Sequence, residues 1–409
     1  MHRKYDQKFL KTGNQGRILK LLREKGPLTR VGISKELGIV KSTASEICNE
    51  MISLNIINEG EKIEGNLGKR PILINFNKNF YYFIALVITT RETNIAVCNL
   101  NGEIIKEEII THPEEVNSAK DIINLTFKKV DEIYENIGHD SILLISLGSP
   151  ETLNIRTGKI KWAPYIKDWM GVDLKKLFYE KYKSEVIIKD HVKLETLGEK
   201  WKSFNNISNL AYITITYGIG SGAIIDDKIR EGKNGYLGEI AFLPVSENIN
   251  YDELVKGNKN LGYFESQCDV FKIIETANNY LSKAENKSIK KINGFDDVVF
   301  LYKTDNLAAE FINKQIIRTL ALGIASLIIL LDPETVVING EIVDLGNHFL
   351  NLLKQEIFKI IPYKREILFS ELRSRARIYG AIKNGLDCIE KLIYEDPELF
   401  YKKMNLPKL

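Results

Sequence analysis

Two short clusters in the first 75 residues carry side chains able to read a nucleic acid. Lys41, Ser42, Thr43 and Ser45 fall almost side by side, and Lys69-Arg70 sits between Gly68 and Pro71. Lysine, serine and threonine in the first turns of a helix supply donors and acceptors for base edges in a major groove. A compact basic pair held by glycine and proline suits the narrow minor groove, where negative potential attracts arginine. Arg17, Arg30 and Lys35 lie outside both clusters. They suit phosphates, which position a duplex without reading it. Residues 1–75 hold 14 Lys/Arg against 8 Asp/Glu, whereas the remainder holds 43 against 46. A basic module on a slightly acidic body points to a polyanion at the N-terminal end.

The elements that must position these residues are legible nearby. Ile18, Leu19, Leu21 and Leu22 form an apolar helical stripe over residues 15–25, ended by Gly26-Pro27. Thr29 can cap a short second helix whose apolar side is Val31, Ile33 and Leu37. Gly38 supplies a turn, and a third helix over 41–54 places Ala44, Ile47, Met51 and Leu54 inward. Val40, just before that helix, has no side-chain oxygen to cap it. Two apolar stretches, 56–59 and 71–75, flank a glycine-rich loop and predict a β-hairpin wing. Residues 1–76 are therefore expected to form a winged helix-turn-helix bound to double-stranded DNA.

Composition sets further bounds. A chain of 409 residues predicts two or three domains. Hydrophobic content of 44% and charged content of 27% are those of a globular protein. The most apolar run, 320–331, stops at Asp332-Pro333, too short for a bilayer, and predicts a buried helix. The first residues carry no apolar signal core, so a cytoplasmic location without membrane contact is expected. Cys48, Cys98, Cys268 and Cys388 are far apart, with no CxxC, and read as reduced thiols. Neither a cofactor nor a metal is expected.

Beyond Phe76 the pattern changes. Strands are expected at 80–89, 94–99 and 103–110, with a turn at Asn101-Gly102, then a helix over 119–136 and a strand over 142–147. A second block offers a strand over 210–216, a glycine loop over 217–222 and a strand over 223–225. Helices over 263–331 follow, then a strand at 335–339, a helix over 344–360, a strand at 378–379 and a last helix. This is an α/β pattern with two similar halves.

Over essentially its whole length the chain resembles the ROK family of bacterial sugar kinases and sugar-responsive repressors. Residues 26–30, 38–45 and 68–71 resemble the repressor branch, which carries a winged helix-turn-helix, although Val40 stands where a serine is usual. The resemblance implies an α/β, actin-like (ribonuclease H-like), two-lobed body. Lobe one would cover 77–190, completed by a C-terminal helix over 380–409, and lobe two would cover 191–379. The family's kinases carry an Asp-x-Gly-Gly-Thr-Lys phosphate loop. The equivalent stretch is Val87-Ile88-Thr89-Thr90-Arg91-Glu92, which loses the aspartate, both glycines and the lysine. Phosphoryl transfer rests on positioning and charge neutralisation, so kinase activity is not expected. Around the second phosphate loop Gly218, Gly220 and Gly222 remain, expected to serve only the turn.

The resemblance also implies a sugar site. Lys189-Asp190 stands where the family has Asn-Asp, Glu239 lies in a Gly-Glu-x-Gly-His-like stretch, and Glu265 in a Cys-Leu-Glu-like one. Lys189, Asp190, Glu239 and Glu265 are thus the expected sugar ligands, with Lys189 able to pair with Asp190. Ser149-Pro150 and Trp162-Ala163-Pro164 would line the cleft mouth. The family's zinc ligands look lost, with Phe242 at the histidine position and no cysteine over 253–262. The expected function is a sugar-responsive repressor of carbohydrate-utilisation genes, acting as a homodimer or tetramer. Its effector would be a monosaccharide or short oligosaccharide; the family's repressors sense xylose, glucose and amino sugars. Two alternatives stay open: an active sugar kinase with an attached DNA-binding domain, and a regulator whose body docks a protein.

Overall fold

The computed structural model describes residues 7–62, 70–113, 115–116, 118–138, 141–154, 157–163, 167–245, 262–283 and 291–395. Lys69 and most of the glycine-rich loop before it lie outside the described residues.

The N-terminal module comprises α1 (Gln7–Lys25), β1 (Leu28–Thr29), α2 (Arg30–Leu37), α3 (Lys41–Ser53), β2 (Ile57–Lys62) and β3 (Ile72–Phe76). The stripe Ile18, Leu19, Leu21 and Leu22 is buried. Thr29 caps α2, its Oγ1 accepting from the Gly32 amide at 3.0 Å. Gly38 closes α2 at φ +65°, a conformation that suits glycine. Within α2 the inward residues are Ile33 and Ser34, and Val31 is exposed. This corrects the expected apolar side: two residues turn a helix by roughly 200°, so Val31 and Ile33 cannot share a face. In α3, Ala44, Ile47, Cys48 and Met51 face inward. Strand β3 pairs antiparallel with both β1 and β2. The two-residue β1 is too short to show alternation in the sequence.

Val40 precedes α3 with no side-chain hydrogen bond to its first-turn amides, and its side chain is exposed. Val40→Ser is expected to stabilise the chain by about 1 kcal/mol. Urea denaturation showing no gain in midpoint would mean those amides are satisfied in some other way.

Two five-stranded sheets follow the same path. The first uses β4 (Tyr82–Ile88), β5 (Glu92–Asn99), β6 (Ile104–Thr111) and β7 (Ile142–Ser149). A small hairpin, β8 (Thr152–Leu153) and β9 (Ile160–Trp162), precedes its last strand, β10 (Glu185–Asp190). Its order is β10-β7-β4-β5-β6. The second sheet uses β11 (Leu210–Ile215), β12 (Ile219–Ile225), β13 (Lys228–Arg230), β14 (Thr335–Asn339) and β15 (Glu366–Phe369), in the order β13-β12-β11-β14-β15. In each, an antiparallel three-strand meander is extended by two parallel strands beside its first member. The two halves expected from the sequence are thus topological copies.

Helices α4 (Ala119–Ile137) and α5 (Leu174–Tyr182) pack with the first sheet. Helices α6 (His191–Lys202), α7 (Tyr263–Cys268), α8 (Val270–Lys283), α9 (Phe295–Thr304), α10 (Asn306–Leu331), α11 (Gly346–Ile360) and α12 (Arg375–Glu395) complete the body. By length and composition α10 could cross a membrane, yet its Ile312, Ile316, Leu320, Ile324 and Ile328 are buried in the second sheet's core.

Three expectations are corrected here. Residues 219–222 form part of β12 rather than a loop. Residues 378–379 lie inside α12, because two apolar residues cannot reveal a period. The glycines of β12 serve packing: a Cβ on Gly222 would lie 2.0 Å from Thr196 Oγ1, and one on Gly220 would lie 2.8 Å from Val192 Cγ2. Both partners are on α6, which therefore sits unusually close to the second sheet.

Helix α12 packs on the first sheet, where a Cβ on Gly385 would meet the Phe83 ring at 2.6 Å. Helices α6 and α12 meet each other backbone to backbone at Gly198 and Gly380. Among the described residues the N-terminal module has no separate buried cluster. Ile18, Leu22, Ile47, Met51 and Ile74 share one buried cluster with Phe83, Cys98, Leu386, Ile389 and Ile393. At its edge Arg23 Nη2 reaches Glu390 Oε1 at 3.3 Å.

Candidate functional site

A cavity of about 520 Å³ is lined by residues following strands of both sheets. Asp190, Glu239 and Glu265 all line it. Asp190 ends β10 and caps α6, accepting from Lys193 N at 2.9 Å and from Lys193 Nζ at 3.0 Å. Glu239 precedes a 3-10 turn, Ile240–Phe242, and accepts from Thr152 Oγ1 at 3.0 Å. Glu265, in α7, accepts from the Ile219 amide at 2.7 Å and is only 7% exposed. A Cβ on Gly262 would lie 2.0 Å from Ala241 O. Glycine there lets the start of α7 press against the 3-10 turn and brings both glutamates to one wall.

Lys189 does not join them. It is absent from the cavity lining, and its ammonium pairs with Glu231 instead. Neighbouring residues of a strand point to opposite faces, so Lys189 and Asp190 cannot both face the cavity. The lysine that does pair with Asp190 is Lys193, one helical turn on.

Glu151 completes the acidic wall and was missed. It directly follows Ser149-Pro150, which was expected at the cleft mouth, so its position in sequence was the available signal. Burial pushes its carboxyl up to about 8, with the charges of Glu265 and Glu239 adding to the rise. Burial also raises Glu239, against the lowering effect of Lys193. A carboxylate accepts hydrogen bonds and a protonated carboxyl also donates one, which matches the donor-and-acceptor character of sugar hydroxyls. Of the other expected mouth residues, Ala163 is buried and outside the lining, and Pro164 lies outside the described residues.

Two turns that line the cavity are each filled by a threonine. Thr89 Oγ1 accepts from the Glu92 amide at 3.1 Å and the Arg91 amide at 3.4 Å. Thr216 Oγ1 accepts from the Gly218 amide at 3.3 Å. Backbone amides that could cradle a phosphate are thus turned onto side-chain oxygens. Glu92 lines the cavity beside them, 3.4 Å from Arg377 Nη1, and the Arg91 guanidinium lies 3.8 Å over the Tyr217 ring.

On the N-terminal module, Lys41 and Ser42 are exposed at the start of α3, and Thr43 and Ser45 are half-buried behind them. Arg70 is exposed. Arg17 and Arg30, expected on phosphates, have internal partners. Arg17 Nη2 donates to Leu37 O at 2.7 Å, satisfying a carbonyl at the C-terminus of α2. Arg30 Nη2 holds Asn49 of α3 and Glu59 of β2, both at 2.9 Å. Arg17 thus ties α1 to α2, and Arg30 ties α2 to α3 and to the sheet.

Among the described residues no group of His, Cys, Asp and Glu is arranged to hold a metal ion. Phe242 offers no ligand atom, and residues 253–261 lie outside the described set. The described residues do not fit a zinc site.

Over 386 residues the chain is 25% identical to the xylose repressor of Caldicellulosiruptor bescii, covering 91% of this chain and 95% of that protein. The crystal structure of a ROK family transcriptional regulator, a homologue of the E. coli Mlc protein, superposes with a TM-score of 0.74 at 20% identity. It covers 97% of this chain and 99% of its own. A ROK family glucokinase from Streptomyces griseus, solved with glucose and AMPPNP, gives a TM-score of 0.62 at 20% identity, covering 74% of this chain and 98% of its own. Residues 83–381 match the ROK family, and the chain belongs to it.

Proposed function

We propose that this protein is a sugar-responsive DNA-binding transcriptional repressor whose body has lost phosphoryl transfer. The observation that carries the reading is the pairing of an open, carboxylate-lined cavity with two self-capped turns. Kinase chemistry needs backbone amides and cations aimed at phosphates. Here threonine oxygens take the amides, and the Glu92 carboxylate faces the same space. The acidic wall keeps the acceptors that vicinal hydroxyls need. The N-terminal module, read as a winged helix-turn-helix over residues 1–76, supplies the second function. Lys41, Ser42, Thr43 and Ser45 would meet base edges, and Arg70 with Lys69 would enter the minor groove. A homodimer would place two such modules on a palindromic operator.

The path between the two functions is α12. Arg377, near its start, lines the cavity; Glu390, about 20 Å further along, pairs with Arg23 of α1. Sugar bound between the sheets biases the placement of this helix, and the module moves with it. A coupling of about 1–3 kcal/mol is typical of such linkage.

Gel shifts at fixed salt test the DNA half. Lys41→Ala should lower operator affinity about tenfold and relax preference at one base pair per half-site. Arg70→Ala should weaken binding at AT-rich positions. Unchanged affinity in both variants would overturn the assignment of α3 and the wing. Calorimetry with a sugar panel, repeated with ATP and an ADP-release assay, tests the other half; turnover would restore the kinase reading.

A further inference from the structure

The cavity is chemically two-sided. Its inner wall is the set of carboxylates already described, and its outer part is aromatic. Phe242 and Phe271 both line it and are 49% and 46% exposed. Tyr217 lines it as well, its ring 4.9 Å from Phe271 and edge-on to it. Large exposed aromatics at the rim of a polar cavity mark a contact surface rather than core.

The placement of these rings follows that of the carboxylates. Phe242 closes the 3-10 turn that begins just after Glu239. Phe271 is the second residue of α8, which directly follows the helix bearing Glu265. Tyr217 sits two residues before Ile219, whose amide holds Glu265. Each ring is therefore anchored to the same backbone that fixes an acidic ligand. A pyranose has an edge of hydroxyls and a face of C–H groups. Carboxylates recognise the first and aromatic faces the second. The cavity volume of about 520 Å³, which includes the space beside the Thr89 and Thr216 turns, lies inside the range of roughly 300–1,000 Å³ that encloses drug-sized ligands.

We propose that the effector is a neutral sugar of at least two units, the inner unit held by Asp190, Glu239 and Glu265 and the outer unit stacked on Phe242 and Phe271. This rests on the sensor reading and names its ligand class.

The test is calorimetry on the full chain with matched pairs: xylose and xylobiose, glucose and cellobiose, N-acetylglucosamine and its β-1,4-linked dimer. One disaccharide is expected to bind at least tenfold more tightly than its own monomer. Phe242→Ala and Phe271→Ala should each remove most of that gain and leave monomer affinity unchanged, with Phe242→Tyr restoring it. Both rings are half-exposed, and melting curves of the variants confirm that folding is kept. A monomer that binds as tightly as its dimer, or Phe variants that weaken both alike, would overturn the two-unit assignment and leave the sensor reading standing. Heatless titrations across the panel by folded protein would overturn both.

Discussion

Raising the pH from about 5 to about 9 is expected to destabilise the folded chain by roughly 6 kcal/mol, and Glu151→Gln is expected to remove more than half of that loss. Two carboxyls carry the effect. Burial raises Glu151 to about 8 and Glu199 to about 7, whereas both titrate near 4.5 when exposed. A raised folded value means that the native state binds the proton more tightly than the unfolded one. The stabilisation is full below about 4.5 and is lost as pH rises through about 7 for Glu199 and about 8 for Glu151. Many globular proteins are instead most stable between about pH 5 and pH 8. Glutamine at 151 resembles the protonated carboxyl, so the variant should match the parent at low pH and exceed it at high pH. Urea denaturation across this window decides; parallel curves for parent and variant would show that Glu151 is ionised at neutral pH in the fold.

Gly380→Ala is expected to cost about 3 kcal/mol. Its Cβ would stand 1.7 Å from the carbonyl oxygen of Leu194, which is backbone and cannot rotate aside. Helices α6 and α12 would have to separate, and Gly198, whose own Cβ would lie 2.0 Å from Ala376 O, shows that the approach is mutual. The control is Gly13→Ala in α1, where nothing lies within 4 Å, and where alanine should stabilise by about 1 kcal/mol. A Gly380→Ala midpoint within error of the parent would mean that the two helices are not held at this distance in solution.

The sequence disclosed long, periodic elements better than short ones. The stripe of α1, the buried run of β4 and the meander strands announce themselves through spacing. The two-residue β1 and four-residue β15 do not, since too few side chains alternate to betray a strand. At the cavity, Asp190, Glu239 and Glu265 could be named because a motif frame existed around each. Lys189 could not be aimed correctly from its type alone: its direction depends on the pleat of β10, and only the strand's end at Asp190 settles which neighbour turns inward. Glu151, Lys193 and Arg377 escaped for a related reason. Their importance lies in what stands across the cavity, which local sequence does not encode. The internal partners of Arg17 and Arg30 were illegible for the same reason, since Leu37, Asn49 and Glu59 lie far from them in sequence.

The cluster that joins Ile18, Met51 and Ile74 to Phe83, Leu386 and Ile389 also bears on how such a protein can be rebuilt. A reader module hung on a tether can be exchanged between sensors like a tool on a handle. If the first 76 residues are the reader, as proposed, they are not so tethered, because a cut near residue 76 would divide this one buried cluster. On the proposed reading, chimeras that swap operator preference would carry the partner face of α12 along with the first 76 residues, and heating should melt module and body in a single step.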